Sequence, residues 1–414
     1  MVNALSHSQA NANVTLSDGV SSLLAYFNPK IITAPVNSEI AIAVLTGIMT
    51  LLTPLVYLRL WNSGTLWFFR LTRSKGSGTS IVTHPLNVFS SWLAVTGMLV
   101  LASVCLKFRF RDSSSIGPLQ AYMAVVLASW IALPFGAMNT ILGTTSALAG
   151  STRDLPAGST WESLSPIQKA SKVLSSRYTV NIATVAAPLV WLGCTLPFLM
   201  LAQIYLRRSL KGLAFLQAAV SVSDAPTAAM TAPQLDTLLQ AGADLRRSFW
   251  YVGILALVWA IFVTIEFLVL SLVGLRVLLV LSHQLTILKR LQSTTDSSDD
   301  MISKRRYIYE SIIVLGGFYS VIAVSGLAQI AALAFTTHGL WQWNGSGSLE
   351  RFRIGNLIYQ WIIAVNGLGV MLLVSGRVHA AVTADTSSRR LSTVSARNQT
   401  KVFAADRDDA LKGY

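Results

Sequence analysis

Residues 264–281 read TIEFLVLSLVGLRVLLVL, eighteen residues in which only Glu266 and Arg276 carry charge. A run of this length and composition is a membrane-span candidate rather than a soluble core helix, because a hydrocarbon layer about 30 Å thick needs about 20 apolar residues in a helix. Outward from this stretch the same pattern recurs. Seven segments qualify, over roughly 38–60, 86–106, 119–143, 183–206, 249–275, 311–336 and 356–376. Residues 1–37 and 377–414 are polar and flank them. The expectation is an all-α polytopic membrane domain at 38–376 with an N-terminal arm and a basic C-terminal tail. SSLLAYF in the arm is too short for the apolar centre of a secretory signal, so the first span is expected to act as the targeting signal.

The composition agrees. Of 414 residues, 53% are hydrophobic and 12% charged, and the mean hydropathy is +0.56. Soluble domains carry roughly 25% charged residues. Cys105 and Cys194 both fall in apolar segments, where they are expected to pack as small apolar groups rather than form a disulfide or a metal site. The five histidines form no ligand-like spacing, so no cofactor is expected. The net charge of +14 is read as Lys and Arg flanking the spans beside membrane lipids. No zinc-finger spacing or RNA-binding signature is present, and no nucleic-acid partner is expected.

Lys and Arg accumulate on the cytoplasmic side of membrane proteins. The connections between spans one and two, three and four, and five and six, together with the tail, hold 20 of them, and the opposite set holds 11. This bias predicts an outside N-terminus and an inside C-terminus. The sequons at Asn13 and Asn344 then fall outside and are glycosylation candidates. The connection between spans four and five, with Arg207-Arg208 and Arg246-Arg247, runs against the bias. That connection is expected to hold a short amphipathic helix from Pro233, capped by Thr231, lying on the membrane or capping the bundle, with a ligand lid as the alternative.

The fifth apolar run continues through Leu279 and Leu285 to Lys289-Arg290. It predicts a helix about 60 Å long that projects into the cytosol. The tip of the 5–6 loop and the tail are expected to meet a cytoplasmic partner of unknown kind. In the tail, Arg389-Arg390-Leu391-Ser392 places two arginines before a serine, which makes Ser392 a phosphorylation candidate.

A carboxylate deep in a span is costly and is a functional candidate by default. Glu266 lies 17 residues below Phe249, about 25 Å. Arg276 is ten residues further and about 80° around the helix, so the two cannot pair, and Arg276 is expected to reach the interface. The polar candidates at comparable depth are Asn139 in the third span and Asn366 in the seventh. Three readings follow: a packed Glu–Asn hydrogen-bonded clamp, an ion-, proton- or ligand-coupled switch, and a membrane-facing glutamate shielded by a partner.

Seven spans with an outside N-terminus resemble the receptor architecture. The third span ends AMNTILGTTSALAG, without an Asp-Arg-Tyr-like triplet. The seventh, LIYQWIIAVNGLGVMLLVSGR, has neither proline nor lysine. The chain therefore departs from rhodopsin-like receptors, and no receptor residue is carried over. In topology and composition it is similar to orphan seven-span plasma-membrane proteins of fungi. That resemblance implies a receptor-like or scaffold role at the cell membrane, with a transporter or channel as the alternative. No span has a histidine in its middle, which excludes the zinc chemistry of seven-span hydrolases resembling alkaline ceramidases or adiponectin receptors, and the expectation is a protein that is not an enzyme.

Overall fold

The computed structural model describes residues 17–18, 20–21, 36–64, 66–74, 78–112, 117–151, 177–222, 231–294, 299–341, 350–376 and 378–379. The helices are α1 (Val36–Asn62), α2 (Pro85–Asp112), α3 (Gly117–Ser151), α4 (Arg177–Val222), α5 (Ala232–Thr294), α6 (Asp299–Trp341) and α7 (Glu350–Gly376). Each contains a stretch long and apolar enough to cross a membrane. The protein is an all-α integral membrane protein. In hydrocarbon the backbone N–H and C=O groups have no water to bond, and a helix satisfies them within itself. Pro54, Pro134, Pro188 and Pro197 lie inside these helices as expected. Three residues before Pro134, the Ile131 carbonyl accepts the indole N–H of Trp191 from α4 at 3.2 Å.

Among the described residues, one connection contains strands. Between α1 and α2, strands β1 (Phe69–Ser74) and β2 (Gly78–Thr83) pair antiparallel, with Phe69 opposite Thr83 and Ser74 opposite Gly78. The sequence reading placed no strand here. Its signal was the β-branched set Thr79, Ile81, Val82 and Thr83, preceded in sequence by Gly76-Ser77, residue types that commonly bound strands. The hairpin is tied to the bundle. Asn87 Nδ2 donates to the Trp67 carbonyl at 2.8 Å, and Thr83 Oγ1 donates to the Asn139 carbonyl of α3 at 3.1 Å. This side of the molecule is called the hairpin end below, and the opposite side the far end.

Two helices run longer than the apolar pattern required. The short helix expected from Pro233 is fused with the fifth span into α5, 63 residues and about 94 Å long. Its N-cap is where the sequence put it. The Thr231 carbonyl accepts the Leu235 amide at 3.0 Å, and the Gln234 side chain accepts the Thr231 amide at 2.9 Å. No break follows because Leu238, Ala241, Leu245, Phe249 and Val252 keep one buried stripe running into the span. They pack on Leu206, Leu210, Leu213 and Leu216 of α4, so α4 and α5 extend past the bilayer together at the far end. Gly212 permits the approach, since a Cβ there would lie 3.0 Å from Ala241 Cβ.

Among α1 to α6, the most extensive contacts are α2 on α3, α5 on α6 and α4 on α5. α7 joins the two halves. Toward α1, α2 and α3 it makes polar ties: Trp361 Nε1 to Ser38 Oγ at 2.9 Å, Gln360 Nε2 to Ser103 Oγ at 3.1 Å, and Tyr359 Oη to the Ser129 carbonyl at 2.8 Å. Toward α6 its Gly355 sits so close to Thr336 that a Cβ would collide with the hydroxyl.

Candidate functional site

Three layers stack down the bundle from the far end, each built by the same faces of α3 and α7. The first is polar. Lys107 Nζ of α2 lies 3.0 Å from Glu39 Oε1 of α1, with both side chains about 2–3% exposed. The ammonium also donates to Gln360 Oε1 at 3.4 Å and stands 5.5 Å from the Tyr122 ring centre. Asn356 Nδ2 donates to the Tyr122 hydroxyl at 3.3 Å. The sequence reading missed this cluster, because it counted Lys107 among the flanking cations of a connection. The available signal was spacing: Ser103 and Lys107 on α2, and Asn356 and Gln360 on α7, each stand four apart and so share a helix face.

The second layer is aromatic. Trp130 of α3 and Trp259 of α5 stack with ring centres 5.4 Å apart and planes 9° from parallel, and Tyr359 of α7 meets Trp259 edge-on at 5.2 Å. Both indole N–H groups are buried and lack a hydrogen-bond partner among the described residues.

The third layer is a cavity of about 80 Å³. Its walls come from α5 and α6 on one side and from α2, α3 and α7 on the other. Glu266, Ser325, Gln329 and Asn366 supply its polar lining, and the remainder is apolar, including Phe89 and Phe267. The sequence reading named two of these, Glu266 and Asn366, and the structure brings them to one cavity. Asn139 is not there. Its amide donates to the Phe135 carbonyl of its own helix at 2.7 Å, and its own carbonyl accepts Thr83 of the hairpin. The expected Glu266–Asn139 clamp is therefore not formed: depth alone was read from the sequence, and the direction in which α3 presents residue 139 was not.

Ser325 Oγ bonds the Val321 carbonyl of its own helix at 2.7 Å. The side chains of Glu266, Gln329 and Asn366 have no hydrogen-bond or ion-pair partner among the described residues. Gln329 is buried. A space of this size admits a few waters or a ligand of a few heavy atoms. What it offers such an occupant is one carboxyl, two carboxamides and an apolar wall.

Among the described residues no group of three His, Cys, Asp or Glu side chains is placed to hold a metal. Cys105 and Cys194 are free thiols, and Cys105 is exposed on the outer surface of α2 rather than packed inside. Asn13, Asn344 and Ser392 lie outside the described residues. No known protein family, curated protein or solved structure matches the chain.

Proposed function

We infer that this is a receptor-like protein of the cell membrane, in which a small ligand occupies the cavity between the two helix groups and α5 and α6 carry the response to the cytosol. The carrying observation is Glu266, a carboxyl without a partner among the described residues, in a cavity whose two walls belong to different helix groups. An occupant that bonds Glu266 and Asn366 together joins α5 to α7, and the groups move relative to each other by as much as its affinity for the two arrangements differs. The basic bias of the sequence supports the hairpin end as the cytosolic one. There α5 continues about 27 Å beyond Arg276 and pairs with α6, a lever of the length a cytosolic partner reads.

A carrier is the second reading, because substrate sites of carriers also lie near mid-membrane between two helix groups. The two separate in proteoliposomes, where a carrier moves charge or protons down an imposed gradient and a receptor does not.

Substitution of Glu266 tests the inference. Glu266→Gln keeps size and hydrogen-bonding capacity and removes the ionisable group. It is expected to leave stability within about 1 kcal/mol of wild type, as for a residue with no protein partner, and surface abundance unchanged, while reproducing the phenotype of deleting the gene. A Glu266→Gln protein with full activity in that assay would show that the carboxyl has no functional role.

A further inference from the structure

One arginine from each of the two Arg-Arg pairs that run against the charge bias of the sequence comes to the same tyrosine ring in the structure. Arg207 and Arg208 lie on α4 and Arg246 and Arg247 on α5, all four exposed, at the level where both helices leave the bilayer at the far end. The guanidinium carbon of Arg208 stands 5.6 Å from the Tyr205 ring centre, and that of Arg247 stands 5.7 Å from the same centre. Tyr251 stacks on Tyr205 with centres 5.6 Å apart and planes 12° from parallel, and Trp250 meets Tyr251 edge-on at 5.2 Å.

The helix register here is fixed by buried polar groups. Ser248 Oγ donates to the Ala202 carbonyl across the pair at 2.8 Å, and Asp244, nearly fully buried, lies 3.5 Å from Arg247. Of the four arginines, Arg208 and Arg247 are the two that reach the Tyr205 ring. Immediately below them, toward mid-membrane, Met200 and Ile204 expose their side chains on α4.

We propose that this platform is a headgroup site for an anionic phospholipid of the leaflet at the far end. Tyr205 and Tyr251 hold Arg208 and Arg247 at headgroup height, the guanidinium pair takes the phosphate, and the acyl chains lie along the apolar surface that begins at Ile204. Planar guanidinium groups match phosphate oxygens two at a time. The rings beneath them are at the interfacial level where aromatic side chains anchor a span. A lipid is the occupant because charge and exposed apolar surface are adjacent on the same pair of helices. A soluble phosphate needs only the first. The arginines that contradict the bias are thus ligands rather than topology signals.

The test is native mass spectrometry of the full-length protein titrated with phosphatidic acid or with phosphatidylcholine. Wild type is expected to retain phosphatidic acid selectively. Arg208→Gln/Arg247→Gln is expected to weaken that binding by about tenfold or more, because it removes both charge-assisted contacts to the phosphate. Lys289→Gln/Arg290→Gln removes the same charge far from this end and is expected to change nothing. Tyr205→Leu, which removes the shared ring and no charge, is expected to weaken binding a few-fold. Equal loss in both double variants, or no loss in Arg208→Gln/Arg247→Gln, overturns the proposal. So does unchanged affinity in Tyr205→Leu, or full displacement of the lipid by an equal concentration of inorganic pyrophosphate.

Discussion

Truncating Lys107 to leucine leaves the Glu39 carboxylate buried without its ion-pair partner. The expected cost is about 3–5 kcal/mol, because the buried charge has lost the cation that compensated it. Replacing both, Glu39→Leu with Lys107→Leu, is expected to recover most of that loss, since well-packed apolar residues often equal a buried pair. Thermal unfolding of the detergent-solubilised variants checks this, and a double variant no more stable than the single one would show that the pair's other contacts dominate. A second residue gives a pH dependence. His84 is the N-cap of α2: its Nδ1 accepts the Asn87 amide at 3.2 Å, Pro85 follows at the first helical position, and Trp67 lies edge-on at 4.8 Å. Burial lowers its pKa below the ordinary 6.5, and the acceptor must be unprotonated. The unfolded imidazole therefore binds its proton first as pH falls. The cap's contribution is complete above about 6.5 and declines below it. Hydrogen exchange at the Asn87 amide, normalised to its intrinsic rate, is expected to lose protection as pH falls below about 6.5. In His84→Asn, a cap that does not titrate, it is expected to stay flat, and an identical decline in both proteins would refute the assignment. At this scale the sequence was half legible. A lone acid in an apolar run announces Glu266 by contrast with its neighbours. Lys107 gives no contrast, because two residues from the end of a span a buried lysine and a flanking one read alike, and only the tertiary position of Glu39 distinguishes them.

Among the elements, the α5–α6 contact is set by two glycines. A Cβ on Gly274 would lie 2.8 Å from the Tyr319 ring, and one on Gly326 would lie 2.9 Å from Phe267. Gly274→Ala is expected to cost about 1–3 kcal/mol by forcing the ring aside. Gly193→Ala in α4 has nothing within 4 Å of the added carbon, and is expected to be neutral or to stabilise by up to about 1 kcal/mol through helix propensity. Unfolding of the two variants side by side decides whether close approach, rather than glycine's presence in a helix, is what matters. All seven spans were readable, because hydrocarbon imposes a length and a composition on each. The fusion of the 4–5 helix with the fifth span was not read. Gly242 and the charged pair after it look like a break, while the stripe from Leu238 to Val252 that overrides them is meaningful only with α4 lying against it. The hairpin was missed for a related reason: twelve strand residues between two spans carry little apolar signal, and they hold their place through Trp67, Thr83 and Asn87 rather than through a core of their own.

Across the whole molecule, the polar layer and α7 bind α1, α2 and α3 into one group by hydrogen bonds and an ion pair, while α4, α5 and α6 hold together mainly by apolar packing. The cavity lies where the two meet, and its polar lining bridges them. A bundle divided in this way has a place to move, and the long α5–α6 pair would enlarge a small displacement at the cavity into a larger one at its tip. Filling the cavity should therefore shift the lever with no ligand present. The measurement is electron–electron distance spectroscopy between spin labels at Trp61→Cys on α1 and Ile302→Cys on α6, both exposed at the hairpin end, in a background with Cys105 and Cys194 replaced by alanine. Ser325→Phe, or Ala137→Met from the opposite wall, occupies the space with a side chain. Either is expected to displace the distance distribution by about 2 Å or more, the scale of helix shifts in switching proteins, while Gly193→Ala leaves it unchanged. Folded cavity-filled proteins whose distribution coincides with that of the parent would contradict the coupling between cavity and lever.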